Sequence, residues 1–244
     1  MLPSSADVEH VVLGTQGLLS AIRNEQVVID MSTIDPMVSK QLAQKIESAG
    51  GQMIDAPVSG GETGAINGTL TIMVGGSSTV LNRCRELLSV MGDKLIHAGN
   101  EAGMGGKVKL VNNMITGISM IATSEAFLIG LKAGLSMETI VEVVGTSSGN
   151  TWVHQNHFPN TVLKNQHEPG FMLDLMYKDI GLALALADDV GVPVPVAGLA
   201  RQVYQGGRTA GLGRKDFSVV WKHMAKSVGM YQSTLDSEDT ENSL

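Results

Sequence analysis

The stretch that decides the fold runs from Gln26 to Ala56 and reads QVVIDMSTIDPMVSKQLAQKIESAGGQMIDA. Its first six residues form a short run with three β-branched residues, which favours a buried strand. Residues 35–49 read as a helix that two glycines close, and residues 52–56 form a second short apolar run. A strand, a helix and a strand in succession indicate an α/β layer with at least partly parallel pairing.

The same alternation continues to about residue 100 and then stops. Residues 69–74 and 94–98 predict two further strands, with a helix between them over residues 77–91. Residues 103–134 contain few breakers and predict one helix roughly 45 Å long. Four more helices follow, at 137–144, 170–190, 196–210 and 216–226. We therefore expect an α/β domain over residues 1–100, an all-α domain over 101–230, and a disordered acidic tail over 231–244.

Composition excludes several classes of function. The chain has 244 residues, a formal net charge of -7 and 17% charged residues, so it lacks the basic face that nucleic-acid binding needs. The apolar segment 110–131 contains two asparagines and a glutamate, which makes it too polar for an unassisted membrane span. Cys84 is the only cysteine, which fits a reducing compartment such as the cytoplasm.

The motif DAPVSGG, at residues 55–61, follows the second strand and has the composition of a binding loop. It combines a proline, a hydroxyl and two glycines, which is more than a turn requires. Ser59 and the N–H groups of Gly60 and Gly61 are suited to hold a small anion such as a carboxylate.

The long predicted helix begins GMGGKVKLVNN, at residues 103–113. Lys109 and Asn113 lie four positions apart and share one face, where burial would lower the pKa of the lysine and fit it for acid–base work. Spacing alone equally allows a lysine that extends to solvent beside a locally bonded asparagine. A phosphate-binding loop is excluded, because Glu101 stands in place of the first glycine and Val108 in place of the hydroxyl.

Two other polar groups have simple explanations. Lys178 and Asp179 interrupt the apolar segment FMLDLMYKDIG, at residues 171–181, and by themselves indicate a surface ion pair. His154 and His157 are three positions apart, but no third ligand is placed to complete a metal site, so we expect no metal.

Taken together, the motifs resemble the β-hydroxyacid dehydrogenase family over residues 1 to about 230. They are MLP (1–3), DMST (30–33), DAPVSGG (55–61), GTLTIMVGG (68–76), KLVNN (109–113), YKDIGLA (177–183) and GLGRKDFS (211–218). Each motif is weak alone, but the set in this order is specific.

The resemblance implies a Rossmann-type domain that binds NAD or NADP, followed by a helical domain built on a long interdomain helix. It implies Lys109 as the catalytic acid/base with Asn113 as its partner, and Ser59, Gly60 and Gly61 as ligands of the substrate carboxylate. It also places five residues along the cofactor: Leu2, Pro3, Thr33, Phe171 and Lys178.

One departure from the family pattern concerns the start of the sequence. The family opens with a strand and a G-x-G-x-x-G turn that seats the pyrophosphate, whereas this sequence begins at MLP. About sixty to seventy residues of the family pattern are therefore expected to be missing, and with them half of the cofactor site. The strands that remain would leave an exposed sheet edge.

The resemblance predicts an NAD(P)-dependent oxidoreductase of short 3-hydroxy acids. Residues 55–70 are similar to the hydroxyisobutyrate and tartronate semialdehyde members, and residues 204–218 to the hydroxymethylglutarate type, so the substrate stays open. A relative of 6-phosphogluconate dehydrogenase would need a basic cluster for the sugar phosphate, which is absent near the motifs. A non-catalytic binding or assembly protein is the alternative of another class. The apolar helical half predicts a homodimer or homotetramer.

Overall fold

The computed structural model describes residues 1–230, so the predicted disordered tail lies outside the described residues. The chain forms two compact units. Of the described residues, the first contains 1–114 and 179–193, and the second contains 115–178 and 194–230. The predicted domain boundary at residue 100 stays a prediction.

The first unit is built on a five-stranded sheet. Its strands are β1 (Val27–Asp30), β2 (Gln52–Asp55), β3 (Val58–Ser59), β4 (Thr71–Gly75) and β5 (Lys94–Gly99). Strand β1 pairs with β2 and β4 with β5 in parallel, whereas β4 pairs with both β2 and β3 in the antiparallel sense. This mixed sheet with helices confirms the predicted α/β class, and β3 is an addition that the sequence patterns did not predict.

Four helices belong wholly to the first unit. They are α1 (Ser5–Leu13), α2 (Pro36–Ser48), α3 (Gly61–Asn67) and α4 (Ser78–Met91). Helix α2 begins as its sequence dictates, because the Asp35 side chain accepts the N–H of Met37 and a proline occupies the first position. Helices α1 and α3 were not predicted. The Ser4 side chain caps α1. The glycines on either side of α3 give this segment the composition of a loop.

Side chains that alternate along β2 build the core on the two faces of the sheet. Met53 packs with apolar residues of α1 and α2, whereas its neighbour Ile54 packs with β4 and α4. The largest fully buried residues of these clusters, such as Leu42, Ile46 and Leu88, come from the inner faces of α2 and α4. The polar motifs lie at the ends of these strands.

The second unit is helical. Its helices are α6 (Met137–Thr146), α8 (Pro195–Thr209) and α9 (Val220–Ser227), with parts of α5 (Met104–Lys132) and α7 (Leu173–Asp189), which also contribute residues to the first unit. Phe127 and Phe158 meet edge to face at 5.0 Å in its core. Among residues 1–230 only α5 is long and apolar enough to cross a bilayer, a property that it shares with the core helices of soluble proteins.

Candidate functional site

The glycine-rich start of α5 is packed against the end of β2. The buried carboxylate of Asp55 accepts the N–H of Gly103 at 2.6 Å and that of Gly106 at 2.7 Å. A Cβ atom on Gly105 would stand 2.2 Å from the carbonyl oxygen of Met73, so only glycine fits at that position. The helix N-terminus that resembled a phosphate loop is therefore occupied by an aspartate of the protein itself. Burial raises the pKa of Asp55 despite these two hydrogen bonds.

Two turns further along α5, Lys109 and Asn113 are both buried, with 7% and 4% of their surface exposed. The Asn113 amide donates to the carboxylate of Asp179 at 2.6 Å and accepts from the amide of Asn112 at 3.1 Å. Because both ends of the amide are engaged, its orientation is fixed. Burial of Lys109 removes the interpretation of a lysine that extends to solvent. Lys107, two residues earlier, is exposed and provides the contrast.

Ser59, Gly60 and Gly61 form the turn from β3 into α3. Ser59 is half-buried and pairs through its backbone with Thr71, and within residues 1–230 its hydroxyl makes no hydrogen bond. Gly60 has φ +133° and Gly61 has φ +61°, which are conformations that favour glycine. The loop therefore presents a hydroxyl that no other side chain uses, beside the first turn of a helix.

The residues predicted along the cofactor fall in both units. In the first unit, the N–H of Leu2 donates to the Ser32 hydroxyl at 2.8 Å, which brings the segment of Leu2 and Pro3 to the carboxyl end of β1, where Thr33 also lies. Ligands of α/β proteins commonly bind at the carboxyl ends of parallel strands. Asp30 ends β1 and is buried. Its Oδ1 accepts the N–H of Ser32, whereas its Oδ2 has no hydrogen-bond partner among the described residues.

Phe171 and Lys178 belong to the second unit, where a buried aspartate holds the start of α7. The N–H of Phe171 donates to Asp216 Oδ2 at 3.1 Å, and the N–H of Phe217 donates to the carbonyl of Phe171 at 2.9 Å. Lys178 lies in α7 and is half-buried. No observation on the cofactor itself tests the roles of these two residues, which stay predictions.

Of the two histidines considered for a metal site, His157 bonds the same aspartate. The His157 ring donates from Nε2 to Asp216 Oδ1 at 2.8 Å, and its ring stacks on Phe217 at 4.4 Å. Burial raises the pKa of Asp216, but the hydrogen bonds from His157 and Ser218 outweigh it and the net pKa is lowered. His154 is buried against Phe127. The pair of histidines therefore has a structural explanation within the second unit.

Two aspartates have roles that the sequence patterns did not predict. Asp179 was interpreted as part of a surface ion pair, but it is 1% exposed and bonded to Asn113. This interpretation was wrong, and a charge within an otherwise apolar helix was the signal that pointed to a buried partner. Asp55 was expected only to end a strand and to set a turn, yet it also caps α5. The glycines at 103, 105 and 106 were the signal for that close approach.

Comparisons with known proteins place these motifs in a family. Residues 1–99 match the model of the NAD-binding domain of 6-phosphogluconate dehydrogenase, and residues 103–224 match the model described as NAD-binding of NADP-dependent 3-hydroxyisobutyrate dehydrogenase. The chain is 40% identical over 229 residues to 2-(hydroxymethyl)glutarate dehydrogenase of Eubacterium barkeri, covering 94% of this chain and 76% of that protein. The chain belongs to the β-hydroxyacid dehydrogenase family.

Other members of the family show the same similarity. The mitochondrial 3-hydroxyisobutyrate dehydrogenase of Mus musculus is 38% identical over 230 residues, which are 92% of this chain and 68% of that protein. The structure of Mycobacterium tuberculosis 3-hydroxyisobutyrate dehydrogenase with L-serine superimposes with a TM-score of 0.83 at 35% identity, covering 92% of this chain and 77% of that one. The predicted family, the NAD(P)-dependent oxidoreductase class and the Rossmann-type and helical architecture are thereby confirmed.

Proposed function

We propose that the chain interconverts a short 3-hydroxy acid and its semialdehyde, with Lys109 as the acid/base. The observation that carries this proposal is the burial of an amine and an oriented amide on one face of α5. Burying these groups is costly unless they are used or paired. A structural helix of this length would gain more stability from two apolar residues.

In oxidation, the Lys109 amine takes the proton of the substrate hydroxyl, and in reduction it returns that proton to the oxygen of the semialdehyde. Asn113 holds the same oxygen, and the carboxylate of Asp179 keeps the Asn113 amide in a single orientation. Two groups that converge on one oxygen set its position relative to the reacting carbon.

The proposed carboxylate clamp is the turn that contains Ser59, Gly60 and Gly61. The uncommitted hydroxyl of Ser59 supports it, together with the N–H groups at the start of α3, which have no acceptor inside a helix. A substitution at Gly60 would test the clamp poorly, because φ +133° strains any other residue. Ser59→Ala removes the hydroxyl and leaves the backbone unchanged.

The residues at the carboxyl end of β1 fit a bound nicotinamide cofactor. Asp30 Oδ2 is buried and lacks a hydrogen-bond partner within residues 1–230, so it has room for a donor supplied by a ligand or water. Leu2, Pro3 and Thr33 lie in the first unit near it, and we propose them as cofactor-binding residues; we propose the same role for Phe171 and Lys178 of the second unit. When bound, the nicotinamide accepts or donates the hydride.

The substrate is best identified by a direct comparison of candidate substrates. The 40% identity to a 2-(hydroxymethyl)glutarate dehydrogenase and the 38% identity to a 3-hydroxyisobutyrate dehydrogenase are too close to choose between them. The experiment compares kcat/KM of the purified chain for 3-hydroxyisobutyrate, 2-(hydroxymethyl)glutarate and tartronate semialdehyde, each with NAD(H) and NADP(H). We expect turnover of at least one of these pairs. A folded chain that turns over none of them would contradict the proposed substrate class.

One feature of the helical unit bears on self-association. A largely apolar groove of about 650 Å³ lies beside α5, α8 and α9, with Leu128, Val203 and Met224 among its lining residues. We propose that the chain forms a homodimer or homotetramer through its helical half. Replacing Lys109 should lower turnover and leave the oligomeric state unchanged, and sedimentation and turnover measured on the same sample check both.

We also propose that the protein works in a reducing compartment, with the cytoplasm as first choice. Cys84 is buried and unpaired, and burial raises the pKa of its thiol, which keeps it protonated and unreactive. Several relatives are named as mitochondrial proteins, including those of Mus musculus and Dictyostelium discoideum. Fractionation of the source cells decides between these two compartments.

A further inference from the structure

Two arginines of α8 and one tyrosine of α7 form a group to which neither the family motifs nor the proposed function gives a role. Cζ of Arg201 lies 4.1 Å from the centroid of the Tyr177 ring, and Cζ of Arg208 lies 4.3 Å from the same centroid. Arg201 and Arg208 are seven positions apart, which places both on the same side of the helix. We call Tyr177, Arg201 and Arg208 the arginine–tyrosine cluster. All three residues belong to the second unit.

The two arginines differ in their partners. Arg208 is held by the carboxylate of Asp174, with Nε 2.6 Å from Oδ1, and this hydrogen bond raises its pKa. Arg201 makes no hydrogen bond within residues 1–230, and its Nε atom is buried without an acceptor. The protein has 24 acidic residues against 17 basic ones, yet the Arg201 guanidinium has no acidic partner among residues 1–230.

The geometry has a chemical consequence. The Tyr177 ring covers the Arg201 guanidinium carbon, and within residues 1–230 no acceptor bonds the guanidinium N–H groups. Leaving a buried N–H without an acceptor costs free energy that a bound oxygen would recover. The cluster and Asp174 together carry two positive charges and one negative charge, so a net positive charge remains for an anion.

We infer that the arginine–tyrosine cluster is a binding site for an oxyanion, a carboxylate or a phosphate, with Arg201 as its main ligand. The guanidinium edge offers two parallel N–H groups, which match the oxygens of either anion. This inference goes beyond the proposed catalytic function and does not depend on it. It assigns a role to residues of α7 and α8 that neither the lysine nor the carboxylate clamp uses.

Binding is tested on the full chain by titration calorimetry with sodium phosphate and, separately, with sodium glutarate. Sodium chloride at matched ionic strength serves as the reference, because simple screening affects all charges on the surface. We expect saturable binding of at least one of the two anions that chloride does not reproduce. The preferred anion tells whether the site takes a phosphate or a carboxylate. An absence of saturable binding of either anion would overturn the inference.

Three variants locate the site. Arg201→Met should weaken binding by at least about tenfold, because it removes the paired donors. Arg214→Met is the matched control, since Arg214 is exposed and lies near the cluster in sequence, and its loss should leave the affinity nearly unchanged. Arg201→Lys keeps the charge and the apolar stem and should still lose most of the affinity, which tests the site even if the methionine variant folds poorly. Equal losses in the Arg201 and Arg214 variants would show a general charge effect and overturn the inference.

Discussion

Two buried polar groups of this protein look alike and are built for different tasks. In the first unit, Lys109, Asn113 and Asp179 form what we call the lysine group, and in the second unit His157, Asp216 and Ser218 form the aspartate group. Each contains a carboxylate that is 1% exposed. Asp216 is surrounded by donors that join separate segments of backbone. The lysine group instead pairs an amine with an amide on a single helix face.

The difference between the two groups distinguishes polar side chains that are buried for stability from those that are buried for catalysis. Two hydrogen bonds of Asp216 tie distant segments of the chain together, from the N–H of Phe171 at 3.1 Å and from His157 at 2.8 Å, and a third, from the N–H of Ser218 at 3.0 Å, caps the turn that follows it. A group of this kind contributes to stability and can be satisfied without a ligand. The lysine group holds one side chain in place for another. We therefore expect mutations in the lysine group to change rate more than stability, and mutations in the aspartate group to do the reverse.

The largest expected effect is on rate. Lys109→Met should lower kcat by about 10²- to 10⁴-fold, because the proton of the substrate hydroxyl loses its acceptor. The melting temperature should change little, since methionine fills a similar volume without a buried charge. Steady-state kinetics and thermal unfolding of the same preparation measure both quantities. Lys107→Met is the control, and a comparable loss of kcat in that variant would remove the special role of Lys109.

Asp216→Asn should have the opposite profile. Removing the charge from a buried carboxylate that His157 and two N–H groups stabilise should cost about 3 kcal/mol of unfolding free energy. Asp93→Asn, at an exposed position, should cost close to nothing. Urea denaturation measures both. If Asp216→Asn instead lowered kcat strongly in a variant of normal stability, the contrast between the two groups would be wrong.

The histidine beside the aspartate group should make stability depend on pH. His167 is 6% exposed, and burial, with a smaller effect of Lys222, lowers its pKa from 6.5 to about 4. The unfolded chain takes up the proton below pH 6.5 and the folded one only near pH 4. Stability should therefore fall as pH falls through this window, by at most about 3 kcal/mol.

The variant His167→Gln should flatten the dependence of unfolding free energy on pH between 6.5 and 4. His10→Gln, at an exposed position, should leave the slope as in the wild type. The comparison of slopes is needed because Asp216, whose pKa is lowered, also loses its contribution as pH falls below its normal value. Identical slopes in all three proteins would show that His167 is not buried in its neutral form.

The smallest effect concerns the clamp. Ser59→Ala should raise KM for the hydroxy acid about three- to tenfold and leave kcat nearly unchanged, since one hydrogen bond to a carboxylate is lost in ground and transition states alike. The KM for the cofactor should not move. An unchanged KM for the acid would remove Ser59 from the proposed site.

The sequence predicted most of the fold, because its signals are local. The run at residues 26–31 is short and rich in β-branched residues, the run at 52–56 is short and apolar, and proline and glycine mark the ends of α2, so these elements follow from neighbours in sequence. Helix α3 was missed because glycines stand at Gly61 and Gly64 and the helix has only seven residues. Gly64 of this helix lies close to the Leu70 side chain, so a larger residue there would crowd it.

The candidate site was predictable only in part. The spacing of Lys109 and Asn113 placed them on one face, but their burial depends on tertiary packing. The bond between Asn113 and Asp179 joins residues 66 positions apart, and the bond between Asp55 and Gly103 joins residues 48 positions apart. Such pairs carry no periodic signal in one sequence. The family resemblance supplied the roles of these residues, and the structure supplied the partners that hold them.

The most direct test of the catalytic role of Lys109 is chemical rescue of Lys109→Ala by small primary amines. The truncated side chain leaves space for an amine such as methylamine or ethylamine in place of the missing group. We predict that kcat rises in proportion to amine concentration, whereas the exposed-site variant Lys107→Ala shows no response. A Lys109→Ala protein that is folded, binds cofactor and shows the same residual rate at every amine concentration would contradict the assignment of Lys109 as the acid/base.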